Sequence, residues 1–323
     1  MQGDKMKLLI DGKDETKRAG SFVRSDNVDG LAMSFSFDIA INEIDKYWPK
    51  AEIKTGDKVA FFNDAGKAVF SGMITDISQN DQYCKSFTAY DYGWNLNKNE
   101  VLVQFRNMNA DAAIKKLCGD FKIPVGAICS IPTKISKIYP GDLLSDCIRD
   151  ILKQAEADTA KSYRMEVREN KLFIEAYNDL VIKTTFKPAS NLAQFDPTKY
   201  PASVGYEESI ADLANSIQVT SEEEQSVRVL AKAQDTASIA RYGVLQKVEH
   251  VTSKDSAQAG NIAKNLLLEN NQVKKACNAT FLGDDAVRSG RIISYHGKMH
   301  LVKSCTHYYK NGMHTMELTL EAV

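Results

Sequence analysis

Apolar and polar residues alternate most regularly near the end of the chain, in RIISYHGKMHLVKSCTHYYKNGMHTMELTLEAV (residues 291–323), and this alternation predicts three antiparallel strands. Gly297-Lys298 and Asn311-Gly312 supply the turns. Asn-Gly suits a two-residue hairpin loop because both residues tolerate positive φ. A loop of that length sets Lys310 opposite Met313, Tyr309 opposite His314, His307 opposite Met316, Cys305 opposite Leu318 and Leu301 opposite Ala322. The resulting face is largely apolar, with Lys303 opposite Leu320 as the exception. Ser304, Thr306 and Tyr308, against Thr315, Glu317, Thr319 and Glu321, form a polar face. One side of this sheet is expected to meet a core and the other water or a partner.

The same period of two marks the start of the chain. KLLIDGK reads as a hairpin turning at Asp11-Gly12, and Met33, Phe35 and Phe37 alternate with Ser34, Ser36 and Asp38. Further strands are expected at Lys58–Phe62, Ala68–Ser78 and Lys85–Tyr90, close enough together for a small barrel or sandwich over residues 1–95. The period then changes to that of a helix. Ile114, Leu117, Cys118 and Phe121 share one helical face, and Leu143, Leu144, Cys147, Ile148, Ile151, Leu152 and Ala155 share another; both read as core stripes. SYRMEVRENKLFIEAY reads as a hairpin turning near Asn170, and the proline-bearing KPASNLAQFDPTKYP as a loop. An α+β middle domain over residues 96–200 follows from this.

Strands return at ANSIQVT and SVRVLAKA, separated by the acidic turn SEEEQ, and continue at VLQKVEHV. A short helix, DTASIARYG, carries Gly243 as its cap, and a longer one at about residues 254–270, with Ser253 as N-cap, buries Ala259, Ile262, Ala263, Leu266 and Leu267. With the three terminal strands these elements are expected to form a domain over residues 201–323. The expected fold class is therefore α+β and mainly β: two small β-barrel domains, the second with a flanking helix, separated by the α+β middle domain. An internal repeat fits the two β regions, since GKAVFSGMITDIS (66–78) aligns without a gap on GKMHLVKSCTHYY (297–309). A Gly-Asp pair precedes each copy, at Gly56-Asp57 and Gly283-Asp284, and a polar turn follows each, Gln79-Asn80-Asp81-Gln82 in the first.

The 323 residues suffice for two or three domains. Lys plus Arg total 41 against 42 Asp plus Glu, so nothing draws the chain as a whole toward nucleic acid or an anionic membrane. Cys84, Cys118, Cys129, Cys147, Cys277 and Cys305 stand singly, as reduced thiols of a cytosol-made protein do. MQGDKMKLLIDGK lacks the apolar run of a signal peptide, so any exit from the cell is expected to use another route.

No GxSxG elbow, phosphate loop or dinucleotide fingerprint occurs. His296, His300, His307 and His314 invite a metal hypothesis, but the hairpin register sets His307 and His314 diagonally, with Cβ atoms roughly 7–8 Å apart. His300 falls on the opposite face, and no metal site is expected. Asp284-Asp285 reads as a polar turn rather than a catalytic pair. Arg24, Arg106, Arg149 and Arg164 are dispersed and form no basic patch beside stacking aromatics.

The order of β domain, α+β domain and β domain with a helix resembles the baseplate hub proteins of contractile phage tails and tail-like particles, the XkdQ/YqbQ type of PBSX-like elements. The phrases that carry the resemblance are GDKVAFFNDAGKAVFSGMITDIS, FTAYDYGWNLNKNE, DLLSDCIRDILKQAEADTAKSYRMEVRENKLFIEA, ARYGVLQKVE, AKNLL, AVRSGRIISY and HLVKSCTHYYKNGMHTMELTLE. It implies a structural protein and not an enzyme: a homotrimer whose two tube-like barrels per chain present a pseudo-sixfold surface to the hexameric tail tube, while the other end seats a trimeric spike. Its partners would be its own copies, the spike, the tail tube protein and other baseplate proteins, without specific nucleic-acid binding or stable membrane binding. Catalytic residues, cofactors and metal ligands are all absent from what the resemblance implies. Such a protein is made in the bacterial cytoplasm without a signal peptide and assembled into the baseplate of a virion, bacteriocin or injection device. Because the chain stops at Val323, spike and enzyme are expected on separate chains. Two other functions stay open on the residues alone. A carbohydrate- or receptor-binding module would use aromatics such as Tyr90, Tyr92 and Trp94, and a peptidoglycan-degrading enzyme would need converging carboxylates or histidines.

Overall fold

A computed structural model describes residues 6–42, 44–45, 47–48, 52–79, 82–159, 161–176, 203–221, 228–251, 259–295, 298–310 and 312–322. The expected features at His296, Gly297 and Asn311, the SEEEQ turn beyond Ser221, the Ser253 cap, the 187–201 loop and the centre of the Gln79–Gln82 turn lie outside these residues. The chain divides into two compact units, residues 1–204 with 278–323 and residues 205–277. The protein is mainly β.

The larger unit begins with β1 (Lys7–Ile10), β2 (Lys13–Asp14), β3 (Ala19–Asn27), β4 (Ser34–Ala40), β5 (Lys58–Phe62), β6 (Ala68–Ser78) and β7 (Cys84–Tyr90). The β1–β2 hairpin turns through Asp11 and Gly12, both at positive φ, as the sequence predicts. Alternation holds along β4, where Phe35, Phe37 and Ile39 are buried, and Leu8, Val59, Phe61, Phe70, Ile74 and Phe87 complete the first core. Phe35 is its centre, with Phe37, Phe61 and Phe70 rings 4.8–5.6 Å away.

The middle of this unit contains α1 (Gly93–Leu96), β8 (Glu100–Gln104), β9 (Met108–Asn109), α2 (Ala110–Asp120), β10 (Val125–Ile128), β11 (Lys134–Ile135), β12 (Ile138–Leu143), α3 (Leu144–Thr159), β13 (Tyr163–Arg168) and β14 (Lys171–Ala176). Both predicted helical stripes meet in a second core: Ile114, Leu117 and Cys118 of α2 and Cys147, Ile148 and Ile151 of α3 are inaccessible to water. The β13–β14 hairpin turns at Glu169-Asn170, both at positive φ.

The smaller unit follows β15 (Ser203–Ser209) with β16 (Ser216–Ser221), β17 (Val229–Gln234), α4 (Thr236–Tyr242), β18 (Gln246–Val251) and α5 (Ala259–Asn270). Here β16 is central, antiparallel to β17 and parallel to β18, and α4 lies in the crossover between them. Asp235 caps α4 by accepting from the backbone N–H of Ala237 and Ser238, and Gly243 ends it at φ 80°. Ala214, Ile217, Val219, Ala259 and Ala263 form a core of its own.

The chain closes with β19 (Lys274–Leu282), β20 (Ile292–Tyr295), β21 (Lys298–Lys310) and β22 (Met313–Ala322). The sequence grouped these strands with residues 201–277. Strand pairing instead carries β21 onto β3, with Tyr309 opposite Phe22 and Ser304 opposite Asn27. The reason is apolar: Tyr309 belongs to the first core, its ring edge-on to Phe61 at 5.1 Å. The resulting hydrogen-bonded order is β22-β21-β3-β4-β7-β6-β5-β1-β2, and this path stays open rather than closing into a barrel among the described residues.

The predicted β21–β22 register holds from Lys310–Met313 to Ser304–Thr319 and then shifts. A bulge at Lys303 sets Val302, not Lys303, opposite Leu320. Both Val302 and Leu320 are fully buried, and Lys303 pairs with Glu321 at 3.3 Å near the surface. The one charge that spoiled the apolar face is removed from it by a single extra residue.

Candidate functional site

The segment Gly283–Arg291 connects β19 to β20 and joins all three parts of the larger unit. Its entry is set by a close approach: a Cβ on Gly283 would fall 2.1 Å from the His314 ring, while the Gly283 N–H donates to the His314 carbonyl at 2.8 Å. The Asp284 carboxylate then accepts from the Ala286 N–H and its carbonyl from the Val287 N–H, a tight turn that aims Asp285 inward.

Asp285 is the first of two polar nodes. One oxygen accepts from Asn63 Nδ2 at 2.8 Å; the other accepts from the Tyr309 hydroxyl and lies 3.4 Å from Arg24 Nη2 and 4.0 Å from His314 Nε2. Arg24 is buried on β3 and also donates to the Val69 carbonyl at 3.1 Å. His307 Nδ1 meets His314 Nε2 at 2.9 Å, and His307 Nε2 lies 2.9 Å from the Val287 carbonyl and 3.0 Å from Cys305 Sγ. Burial, with Arg24 and His314 nearby, holds the His307 imidazole well below its ordinary pKa, so it is neutral near pH 7. Burial lowers His314 as well, against an opposing pull from Asp285.

Glu166 of β13 is the second node. Its carboxylate, 4% exposed, lies 2.8 Å from Arg288 Nη1 and 2.7 Å from Arg291 Nη1. Arg288 also reaches Asp26 of β3 at 3.4 Å, and the Ser289 N–H donates to both Asp26 oxygens. Arg164 of β13 donates to Ser289 Oγ at 3.0 Å and to the Val28 carbonyl at 2.9 Å. Burial pulls the Glu166 carboxyl upward, but Arg288 and Arg291 outweigh it and hold it below the usual range. Alternation along YRMEVR would put Arg164 and Glu166 in water; here both faces of β13 are covered, one by the α3 core and the other by the Gly283–Arg291 segment.

Asp91, next to α1, is shifted the other way. Burial raises it to about 7, although Arg288 and the Gly93 N–H, which donates to Oδ1 at 3.0 Å, favour its anion. A carboxyl with a raised folded pKa binds its proton more tightly folded than unfolded. Its contribution is therefore complete below about pH 4 and is lost as pH rises to about 7. Asp91→Asn, which keeps the acceptor and removes the charge, should match the native chain in urea unfolding at pH 4. Its advantage should grow through pH 7 toward a ceiling of about 4 kcal/mol, and a gain independent of pH would refute the assignment.

Two cavities adjoin these nodes. One, about 540 Å³, is lined by Asp29, Leu31, Arg149, Glu156, Tyr163 and Arg164, so its carboxylates share the wall with guanidinium groups. The other, about 220 Å³, is lined by Arg24, Lys67, Arg168, Asp285, Arg288 and Arg291. Of the aromatics considered for carbohydrate binding, Tyr90, Tyr92 and Trp94 are each half-buried, and Tyr92 packs on the second core. Arg24 and Arg164 meet the two nodes, whereas Arg106 bonds Gln104 and Arg149 the Asp29 carbonyl. His300 Nδ1 lies 3.1 Å from the nearby Lys298 carbonyl, away from the His307–His314 pair. The sequence placed Asp285 in a polar turn, and no periodicity governs where a loop residue points.

Comparison with known proteins bears on this architecture. A family model described as YQBQ-like matches residues 24–321. The chain is 29% identical over 277 residues to the uncharacterized protein YqbQ of Bacillus subtilis (strain 168), covering 82% of this chain and 81% of that one. It is 29% identical over 276 residues to the phage-like element PBSX protein XkdQ of the same organism, with the same coverage. Among solved structures it is similar to the 43 kDa tail protein of prophage MuSo2 from Shewanella oneidensis. The TM-score is 0.72 at 12% identity, over 98% of both chains, which shows a shared fold.

Proposed function

The chain belongs to the YqbQ-like family, and from that premise we propose that it is a structural baseplate hub, a trimeric adaptor joining a trimeric spike to a hexameric tail tube. Its similarity to a phage-like element protein and to the fold of a prophage tail protein supports a structural tail role without enzymatic activity. The observation that carries the finer reading is a repeat of topology. β5, β6 and β7 form an antiparallel meander, and β20, β21 and β22 form a second one in the same sheet. The central strands β6 and β21 hold the two aligned sequence copies. One chain with two similar β elements gives six in a closed threefold ring, which is what a threefold-to-sixfold junction requires. In this role the two nodes fix the relative setting of the meanders, and assembly would take place in the cytoplasm with copies of itself, spike, tube and other baseplate proteins.

Light scattering on the purified protein, alone and mixed with the spike protein encoded beside it, tests the adaptor reading. A trimer, or a monomer that becomes a three-to-three complex with spike, is the expected result. A monomer indifferent to both spike and tube protein would overturn it.

A further inference from the structure

We propose that Asp285, His307 and His314 form a binding site for one divalent transition-metal ion, with zinc the best fit. The argument begins with protons. The Val287 carbonyl can only accept, so His307 Nε2, 2.9 Å away, carries the hydrogen and Nδ1 presents a bare lone pair. His314 Nε2, 2.9 Å from that lone pair, must then supply the proton between the rings. A metal ion that takes the place of this single proton gains two imidazole nitrogens at once.

Asp285 supplies the third ligand. Its carboxylate and the two ring nitrogens lie within 4.8 Å of one another, and Asp285 Oδ1 is 4.0 Å from His314 Nε2. Ligands at about 2.0–2.2 Å in a tetrahedron stand about 3.3 Å apart, so the 2.9 Å and 4.0 Å separations need adjustments of under 1 Å. The surrounding groups are those that orient metal ligands elsewhere: a backbone carbonyl on the far nitrogen of His307, and Tyr309 and Asn63 on the carboxylate. Cys305 touches the Nε2 side of His307, away from the ion, and is a bystander. His307 is buried, but Asp285 and His314 are only partly so, with side chains 17% and 21% exposed, which leaves an entry path and room for a water as fourth ligand.

Arg24, 3.4 Å from Asp285, opposes any cation. Its charge selects against ions that rely on carboxylate alone, such as magnesium and calcium, and leaves those that bind imidazole strongly. Metal at this position would tie the β21–β22 hairpin to the Gly283–Arg291 segment by coordination as well as hydrogen bonds.

The test is titration of the full-length, tag-free, chelator-stripped protein with cobalt(II), followed by its visible ligand-field bands, and then displacement by zinc. One saturable site per chain is expected, with tetrahedral-type absorption that zinc abolishes and millimolar magnesium or calcium does not. Asp285→Asn and His314→Asn should each weaken zinc binding at least about 100-fold, since removing even an outer partner of a ligand weakens metal affinity 10–100-fold. Absence of saturable one-to-one binding in the native protein overturns the proposal whatever the variants do. So does binding that survives undiminished in both variants, which would place the ion on other side chains.

Discussion

Glu166→Gln is expected to destabilise the larger unit by about 3–5 kcal/mol, the range found when one member of a buried ion pair is removed. The carboxylate sits between Arg291, which is buried, and Arg288, whose side chain is 17% exposed, and the amide that replaces it leaves both guanidinium charges without their shared carboxylate, Arg288 keeping Asp26 at 3.4 Å. Burying unbalanced cations is far costlier than losing a surface pair. Glu175→Gln on the adjacent strand provides the comparison: its partner Arg168 is at 2.5 Å, but both side chains are about a third exposed, and the loss should stay below about 1 kcal/mol. Equilibrium urea unfolding of both variants distinguishes the cases, and equal losses would show that the node contributes no more than a surface pair. The same node sets a direction for acid sensitivity. A carboxyl held below its unfolded pKa stabilises fully above about pH 4.5, and that contribution is lost as pH falls through its lowered folded value.

Gly72→Ala should be as damaging by a different route. A Cβ at this position would stand 2.1 Å from the Tyr90 carbonyl oxygen and 2.7 Å from its carbon, with the Phe70 ring at 2.8 Å. Gly72 faces Val59 on β5, and its neighbour Met73 faces Tyr90 on β7, so both flanking strands are fixed where the methyl must go. No rotamer relieves a collision with backbone, and the loss should be about 3 kcal/mol or more, at or above the top of the usual range for overpacking. Gly20→Ala on β3, where nothing lies within 4 Å of the added atom, should change stability by no more than about 0.5 kcal/mol. Thermal unfolding of the pair separates close approach from the general effect of a methyl in a strand.

What the sequence made legible was local. Hairpin turns at Asp11-Gly12 and near Asn170, the stripes of α2 and α3 and the Gly243 cap of α4 depend on residues within a few positions of each other, and each occurs as read. The β21–β22 register was legible up to Ser304, where the bulge at Lys303 begins. A bulge is selected by what the opposite face packs against, and that partner was not in the pattern. The β3–β21 pairing was likewise out of reach. Its paired residues are as far as 287 positions apart, as Phe22 is from Tyr309, and alternation says which face of a strand is apolar but not which strand lies beside it. The polar nodes were hardest to see. Arg24 and Glu166 have the character of solvent-facing residues, and their ion pairs, with Asp285 for the first and with Arg288 and Arg291 for the second, make their burial tolerable.

That pairing gives synthesis a definite timetable. Until β21 leaves the ribosome, β3 presents an unpaired edge, Tyr309 is missing from the first core, and Glu166 waits without Arg288 and Arg291. At roughly 5–20 residues per second, the 281 positions between Ser25 and Thr306 take about 15–60 s to translate. Through that interval the nascent sheet carries the kind of open edge that invites pairing with another chain. Strands made about 280 residues later are thus the ones that cover the edge of β3, and the larger unit reaches its native state only after β21 and β22 have been made.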